Sequence, residues 1–181
     1  VYRSTFDMVE NPVAFCWFGA VSKWYCATAT KIYEYDGTYW VQRWVTTNTI
    51  TDLKEFNAIM YVGVGYNVLW YYTSAGAAYT QTDLTNAKTV KFFVSPNAAG
   101  TANVLWSFIT PNQLYSTTDG RTVAGGGVAL SSAAYIGDTS ANITNVMLIN
   151  DTLLVGREDN LFNYDSSGGL HPLMDELKTA K

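Results

Sequence analysis

Short runs of apolar and aromatic residues alternate with short polar turns along the whole chain, and residues 150–168 (N-D-T-L-L-V-G-R-E-D-N-L-F-N-Y-D-S-S-G) are the clearest example. This stretch reads as an apolar run, a polar turn, an apolar-aromatic run and a second turn, as in β-hairpins. Apolar residues do not recur at helical spacing over a dozen positions, which disfavours helical repeats. The pattern predicts an all-β protein.

The same unit occurs four times. An aliphatic residue followed by an aromatic one opens the second strand of each unit, and these pairs are Ile32-Tyr33, Leu69-Trp70, Leu114-Tyr115 and Leu161-Phe162. The aliphatic residues are 37, 45 and 47 positions apart. Repeats of roughly 40–50 residues that contain several short strands are typical of β-propellers. The spacing therefore predicts a propeller.

Another strand-like run comes before each of these strands, at residues 24–27, 59–63, 104–108 and 153–156, so that each unit has a central pair of strands. Each unit also contains two further strand-like runs. One precedes the central pair, at residues 13–19, 50–56, 89–95 and 143–149, and another follows it, at residues 39–45, 77–82, 121–128 and 169–174. These runs predict a β-propeller of about four four-stranded antiparallel blades. The chain, residues 1–181, is predicted to be a single propeller domain or segment with blades at approximately 13–45, 50–82, 89–128 and 143–174.

Composition and charge restrict the partners. Apolar residues make up 48% of the chain and charged residues 14%, which indicates a globular protein. The net charge is −4, and the 11 basic residues form no run. Binding of nucleic acid requires clustered Lys and Arg, so no nucleic-acid partner is expected. No apolar stretch is long enough to predict membrane insertion.

Catalytic and metal-binding residues are scarce. The only histidine is His171, so a two-histidine metal site is excluded, and a Ser-His-Asp triad would have to use this residue. Cys16 and Cys26 fall on adjacent predicted strands, where they are either two small buried side chains or a cross-strand disulfide. The Asp-Gly turns lack the alternating carboxylates of an EF-hand loop. We predict no catalytic residue, no metal and no cofactor.

A resemblance to known propellers rests on two stretches. Residues 50–76 (I-T-D-L-K-E-F-N-A-I-M-Y-V-G-V-G-Y-N-V-L-W-Y-Y-T-S-A-G) resemble the repeat of propellers with Asp-box-like hairpins, which include sialidase-type propellers and those similar to the photosystem-II assembly factor. Residues 115–122 (Y-S-T-T-D-G-R-T) are the nearest local match to the Asp box, although Gly120 directly follows Asp119 and Val123 stands where Trp is expected. Residues 153–165 (L-L-V-G-R-E-D-N-L-F-N-Y-D) also resemble blades of sensor-kinase propellers.

The resemblance implies a propeller fold, and because such proteins commonly have more blades than four, it implies that the chain is part of a larger propeller. An open blade edge would then be exposed, and self-association through it is expected. Similar repeats in secreted bacterial proteins and phage tails favour an extracellular or virion-associated location. A sialidase would need clustered arginines, a tyrosine nucleophile and an acid/base carboxylate, whereas Arg121 lies in the Asp-box-like turn, which is structural in those enzymes.

The candidate binding residues lie in turns between the second and third strands of the blades, at residues 28–31, 65–67, 110–113 and 157–160. In a propeller these turns share one face around the central channel, where ligands usually bind. The predicted binding residues are Tyr66, Asn67, Asn112, Arg157, Glu158 and Asp159. Glu158 and Asp159 are adjacent and point in different directions, so they are poorly placed as an acid/base pair. An ordinary hydrophilic hairpin turn also explains residues 157–160.

The expected function is therefore a non-enzymatic binding or structural module that presents loops to a protein or glycan partner. Two alternatives remain. The first is a carbohydrate-active, sialidase-like propeller whose catalytic residues lie outside this chain. The second is a structural component of a phage virion or tail. Because propellers host many functions, the fold by itself does not choose between them.

Overall fold

The structure is a computed structural model of the 181-residue chain. It describes residues 10–65, 69–72, 78–81, 88–96, 102–117, 122–123, 127–128, 134–149, 152–164 and 170–173. Regular structure in this part of the chain is almost entirely β-strand, and the all-β prediction is confirmed. None of the helical structure within the described ranges is long and apolar enough to cross a membrane.

Two four-stranded antiparallel sheets form the first half of the chain. Sheet 1 consists of β1 (Ala14–Phe18), β2 (Lys23–Ala27), β3 (Lys31–Tyr35) and β4 (Trp40–Val45). Sheet 2 consists of β5 (Ile50–Phe56), β6 (Ile59–Val64), β7 (Leu69–Tyr72) and β8 (Ala78–Gln81). The strands of both sheets are ordered as in the chain, so each sheet is a simple meander.

The second half of the chain also forms two four-stranded sheets, sheets 3 and 4. Sheet 3 differs from the prediction in its fourth strand. Sheet 3 begins with β9 (Lys88–Pro96), β10 (Asn103–Thr110) and β11 (Gln113–Thr117). Residues 121–128 were predicted as its fourth strand, but β12 (Thr122–Val123) and β13 (Gly127–Val128) pair only with each other. The fourth strand is instead β14 (Ala134–Tyr135). Strands this short, in a stretch rich in glycine, do not identify their partner from the local sequence.

Sheet 4 follows the predicted pattern. It consists of β15 (Ile143–Ile149), β16 (Thr152–Arg157), β17 (Leu161–Tyr164) and β18 (Leu170–Pro172), ordered as in the chain. The last strand, predicted at residues 169–174, pairs with β17 over three residues. The first strands of successive sheets contact one another, since β1 contacts β5, β5 contacts β9 and β9 contacts β15. The sheets are therefore arranged around their first strands.

Three apolar cores lie between consecutive sheets. The core between sheets 1 and 2 contains Phe18, Ile32, Leu53 and Met60, among others. The core between sheets 2 and 3 is built on Phe56, Ile59, Tyr61, Phe92 and Leu105. The core between sheets 3 and 4 is built on Phe108, Leu114, Ile136, Ile143, Val146, Leu153 and Val155. Each core holds two neighbouring sheets together by burial of apolar surface.

The alternation of buried and exposed residues along a strand shows whether one or both of its faces are covered. In β16 the residues alternate, with Leu153, Val155 and Arg157 buried and their neighbours partly exposed, as expected for a strand with one covered face. All six residues of β6 are buried, because Met60 and Val62 face sheet 1 whereas Tyr61 faces sheet 3. This difference is why β6 reads in sequence as a continuous apolar run.

A β-bulge recurs near the start of β5 and β15. The side chain of Asp52 accepts a hydrogen bond from the N–H of Leu53, and that of Asn145 accepts one from Val146, both at 2.9 Å. The sequences are I-T-D-L and I-T-N-V, so an Asp or Asn two residues after the isoleucine marks the bulge. The bulge turns Leu53 and Val146 into the cores.

The predicted hairpin turn at Asp36-Gly37 is present between β3 and β4. The Asp36 carboxylate accepts hydrogen bonds from the N–H groups of Tyr39 and Thr38 at 2.7 and 2.8 Å, and these donors lower the pKa of Asp36. Gly37 has φ +106°, a conformation that other residues rarely adopt. Asp and Gly are therefore explained here by turn geometry without a metal.

The two cysteines are free and buried. Cys16 lies in the core between sheets 1 and 2, whereas the β1–β2 register pairs Cys26 with Phe15, on the opposite face of sheet 1. Burial raises the pKa of each thiol to about 11. Of the two explanations left open by the sequence, the structure supports small buried side chains over a disulfide.

A buried carboxylate on β3 joins β2, β3 and β4 of sheet 1. The side chain of Glu34 on β3 is 9% exposed and accepts hydrogen bonds from the Tyr25 hydroxyl at 2.6 Å, Arg43 Nη2 at 2.9 Å and Lys23 Nζ. Burial by itself raises the pKa of Glu34, but the hydrogen bonds from Arg43, Lys23 and Tyr25 outweigh it and lower the pKa to about 2.

The stabilisation that Glu34 provides is expected to be lost in acid. Its pKa falls from 4.5 to about 2 on folding, so the contribution is complete above pH 4.5 and disappears as the pH falls toward about 2. Glu34→Gln removes this dependence, and the difference in Tm between wild type and variant should shrink as the pH is lowered from neutral. Thermal unfolding at a series of pH values measures it. Tyr25→Phe keeps the carboxylate and both cations and should retain most of the pH dependence.

Candidate binding face

The turns between the second and third strands are joined to the connections that lead from one sheet into the next. The N–H of Ile50, the first residue of sheet 2, donates to the carbonyl of Ala29 in the first turn at 2.7 Å. The N–H of Ile143, the first residue of sheet 4, donates to the carbonyl of Pro111 in the third turn at 2.8 Å. We call these turns and connections, residues 28–31, 46–49, 65, 111–113, 136–142 and 157–160, the turn face.

Further main-chain hydrogen bonds repeat across the turn face. Gly65 N–H donates to Thr49 O at 2.6 Å, and Glu158 N–H donates to Asn142 O at 3.1 Å at the equivalent position of sheet 4. The connections are also tied to the turns by bonds from Thr46 to Thr30 and from Ile136 to Asn112, each at 2.8 Å. Loops held in this way lose little conformational entropy when they bind a partner.

Arg157 lies on the turn face at the end of β16, and its side chain is only 1% exposed. Nη1 donates to the carbonyl of Ile136 at 2.7 Å, Nη2 lies 3.2 Å from Asp138 Oδ1, and Nε lies 3.0 Å from Asp159 Oδ1. The guanidinium also lies over the ring of Phe162, 5.4 Å from its centroid. Arg157 therefore fastens the connection between sheets 3 and 4 onto sheet 4.

The connection that covers Arg157 is shaped by two neighbouring residues. Gly137 has φ +68°, and a Cβ atom there would lie 1.8 Å from Arg157 Nη1. The buried Asn112 donates from Nδ2 to the Gly137 carbonyl at 2.8 Å. Glycine is thus required at this position for two reasons, backbone conformation and the space that the guanidinium occupies.

The acidic side chains of the turn face are held by specific donors. Asp138 accepts hydrogen bonds from the hydroxyl and N–H of Ser140 and pairs with Arg157, and these contacts lower its pKa to about 2. Glu158 accepts hydrogen bonds from the N–H of Asn142 at 3.0 Å and from its side-chain amide, which lower the pKa of Glu158. Both carboxylates are therefore ionised at neutral pH.

A similar arrangement is found at the first turn. The Glu10 carboxylate accepts a hydrogen bond from the Thr28 hydroxyl at 2.6 Å and lies 3.0 Å from Lys31 Nζ. It also accepts bonds from the N–H and hydroxyl of Thr30. The bond from Thr28, followed by that from Lys31, lowers the pKa of Glu10 to about 2. Carboxylates held by hydrogen bonds therefore lie beside the first turn, where Glu10 contacts it, and in the part of the turn face next to sheet 4.

The structure brings together three of the six predicted binding residues, Asn112, Arg157 and Asp159, and places a fourth, Glu158, beside them. Asn112 and Asp159 lie around Arg157, and Glu158 points away from them toward Asn142, as expected from its adjacent position in the chain. Tyr66 and Asn67 lie outside the described residues. Sequence reasoning missed Asp138 and Glu10, although Gly137-Asp138 in the long polar connection is itself a turn signal.

Among the described residues, no group of three or more His, Cys, Asp or Glu side chains is arranged to hold a metal ion. Arg43 pairs with Glu34 in sheet 1, and Arg157 is buried in sheet 4, so these two arginines are separated and both engaged. Arg3 and Arg121 lie outside the described ranges.

Comparison with solved structures decides the fold. The extracellular domain of the putative hybrid two component system BT4673 from B. thetaiotaomicron matches with a TM-score of 0.65 and 14% identity, over 94% of this chain and 23% of that one. The Dos1 propeller matches with a TM-score of 0.62 and 13% identity, over 91% of this chain and 49% of that one. The fold is that of a β-propeller. The computationally designed Ika4 protein also matches, with a TM-score of 0.58 and 11% identity over 91% of each chain.

The comparisons identify the fold of this chain but not its function. No protein-family model matches the sequence, and no curated protein matches it significantly. The propeller chain spans about a quarter of the length of the BT4673 structure and about half that of the Dos1 propeller. The predicted propeller fold is confirmed, whereas the resemblance to Asp-box-like propellers remains at the level of the fold.

Proposed function

We propose that this propeller is a non-enzymatic binding module that engages a positively charged protein through its turn face. The observation that carries the proposal is that the turn face is rigid and acidic at once. Main-chain bonds from Ile50 and Ile143 fix the turns to the following sheets, and hydrogen-bond donors fix the carboxylates. A preorganised surface of this kind gives up little entropy on binding.

The charges favour a basic partner. The side chains of Asp138 and Asp159 are 76% and 47% exposed, and Glu158 is exposed as well, whereas the neighbouring cation, Arg157, is buried. The potential that reaches solvent around these residues is therefore negative, in line with the net charge of −4. Such a surface attracts a basic protein segment and increases its rate of association.

A glycan fits this face less well. Sugar-binding sites stack sugar rings on exposed aromatic side chains, but Phe15, Trp17 and Trp24 are exposed on strands of sheet 1. Beside the described part of the turn face, Tyr135 alone among the large exposed aromatics is available for such stacking. The sialidase alternative is also less well supported, because Arg43 and Arg157 are separated and paired with carboxylates. These observations favour a protein partner.

The proposal is tested with a lysine-rich peptide and a glutamate-rich peptide of the same length as fluorescent probes. The chain should bind the lysine-rich probe with an affinity that falls as salt is added, and should not bind the other. Asp138→Asn combined with Glu158→Gln should weaken binding roughly fivefold, since each exposed charge contributes about 0.5 kcal/mol.

A control variant separates the turn face from overall charge. Asp36→Asn combined with Glu55→Gln makes the same change in charge, but Asp36 lies in the β3–β4 turn and Glu55 next to the β5–β6 turn, at the opposite end of the sheets. This variant should bind the lysine-rich probe as wild type does. Equal losses in both variants would mean that binding follows net charge and not the turn face.

A further inference from the structure

The two terminal sheets each have an uncovered face. Cores lie between sheets 1 and 2, 2 and 3, and 3 and 4, so both faces of sheets 2 and 3 are covered. No core within the described part of the chain joins sheet 4 to sheet 1. We call the outer faces of sheets 1 and 4 the open faces, because no core of the described residues covers them, although Cys26 and Tyr33 on the sheet 1 face are themselves buried.

The open face of sheet 1 is defined by Val13, Phe15, Trp17, Trp24, Tyr35 and Trp40. Phe15 and Trp17 on β1 are 54% and 44% exposed, and Trp24 on β2 is 48% exposed, which are large values for aromatic side chains. Phe15 and Tyr35 both contact the ring of Trp40, with centroids 6.0 and 5.3 Å apart. A contiguous apolar patch of this kind marks an interaction surface.

The registers show what this face is built to contact. In the β1–β2 pair Phe15 lies opposite Cys26, and in the β5–β6 pair Leu53 lies opposite Val62, which makes Phe15 the counterpart of Leu53. By the same registers Trp24 is the counterpart of Met60. Leu53 and Met60 are buried against sheet 1, the sheet before their own. The open face of sheet 1 therefore corresponds to the face of sheet 2 that is covered by the sheet before it.

The open face of sheet 4 is of the opposite kind. It carries Met147 and Ile149, which are 44% and 49% exposed, and the half-buried Leu154. The β15–β16 register makes Ile149 and Leu154 the counterparts of Phe56 and Tyr61 in sheet 2. Both counterparts are buried in the core against the following sheet. The open face of sheet 4 therefore corresponds to faces that contact the following sheet, and the open face of sheet 1 to faces that contact the preceding sheet. Each of the three internal cores joins one face of each kind.

We propose that a second copy of the chain covers both faces and completes the ring. Sheet 4 of each copy packs against sheet 1 of the other about a two-fold axis, so that two identical contacts close eight sheets into one propeller. The four sheets of one chain match about half of the Dos1 propeller, so they follow half of a ring. A second copy supplies the other half and both kinds of face at once, which closes the symmetry.

The proposal is independent of the partner bound by the turn face, because the residues that form the two open faces lie on the strands. It differs from association through a strand edge, since side chains and not main-chain groups make the contact. Along the described strands β1 to β4, the one charged residue on the open face of sheet 1 is Lys31 at the start of β3, and it is paired with Glu10. The rest of this face suits burial against the exposed apolar side chains of sheet 4.

The first measurement is the mass of the 181-residue chain in solution by analytical ultracentrifugation, over about a hundredfold range of concentration. The expected result is a single species of twice the 20.0 kDa chain mass that dissociates to monomer on dilution. A monomer at every concentration would overturn the proposal and leave further blades of a longer chain as the occupant. Oligomers that keep growing with concentration would also overturn it, because the contact would then not close.

Substitutions at the two faces test the arrangement. Phe15→Asp and Ile149→Asp should each give monomers, since either change introduces a charge into both identical contacts. Mixing the two variants should restore dimers, because one of the two contacts in the mixed pair then has both faces intact. Tyr135→Asp, at a residue 61% exposed on the edge of sheet 3, is the control and should remain dimeric. If only Phe15→Asp abolishes the dimer, two copies pair through sheet 1 alone, and the proposal is wrong.

Discussion

Gly137→Ala is expected to lower the free energy of unfolding by about 2–4 kcal/mol. The new Cβ atom would lie 1.8 Å from Arg157 Nη1 and 3.2 Å from the Phe162 ring, so the buried guanidinium has to leave its position. The backbone is also strained, because φ at this residue is +68°. Urea denaturation of wild type and variant at one fixed protein concentration measures the difference.

A double-mutant cycle separates the two causes. Arg157→Ala removes the group that the Cβ atom would meet at 1.8 Å, so in that background Gly137→Ala should cost mainly the backbone strain and the remaining close contact with Phe162, about 1 kcal/mol. The coupling between the two sites is expected to be at least 1 kcal/mol. Additive effects would show that Gly137 and Arg157 act independently, and the role assigned to Arg157 in fastening the connection would be wrong.

Phe108→Ala is expected to have the other large effect, a loss of about 3–5 kcal/mol. Phe108 is fully buried on β10, in the core between sheets 3 and 4, and its removal leaves a cavity that the two sheets cannot fill without moving. The free energy of unfolding from urea denaturation is again the measurement. A loss below about 1 kcal/mol would mean that sheets 3 and 4 are not packed on this residue.

Tyr135→Ala is the matched control in the same sheet. Tyr135 is 61% exposed on β14, and its substitution is expected to change stability by less than about 0.5 kcal/mol. The contrast between two aromatic residues of one sheet, one in the core and the other at the edge, tests the arrangement of the sheets. Their chemical type predicts no such difference.

Several elements were readable from the sequence because their causes are local. The aliphatic-aromatic pairs placed β3, β7, β11 and β17 correctly, since alternating apolar residues have to face a core. Asp36-Gly37 marked a hairpin because the carboxylate accepts N–H bonds in the turn and glycine tolerates φ +106°. Four of the predicted binding residues fall on the turn face, since strand order fixes which turns share an end of the sheets.

Other features depend on partners that are distant in the chain. The fourth strand of sheet 3 was misplaced because β14 is two residues long and is selected by its pairing with β11, not by its own composition. Asp138 was not identified, because its role comes from an arginine 19 residues later. The bulge in β5 and β15 was missed as well, although I-T-D-L and I-T-N-V occur at equivalent positions.

The sequence by itself determined that this chain is all-β, that it repeats four times and that its turns cluster on one face, because periodicity and turn chemistry are properties of neighbouring residues. Only the tertiary structure decided that Arg157 is a buried fastener, that the cysteines are apart, and that the outer faces of sheets 1 and 4 are open and complementary. The physical reason is that burial and pairing are set by what packs against a residue. That information belongs to other strands, and no local pattern contains it.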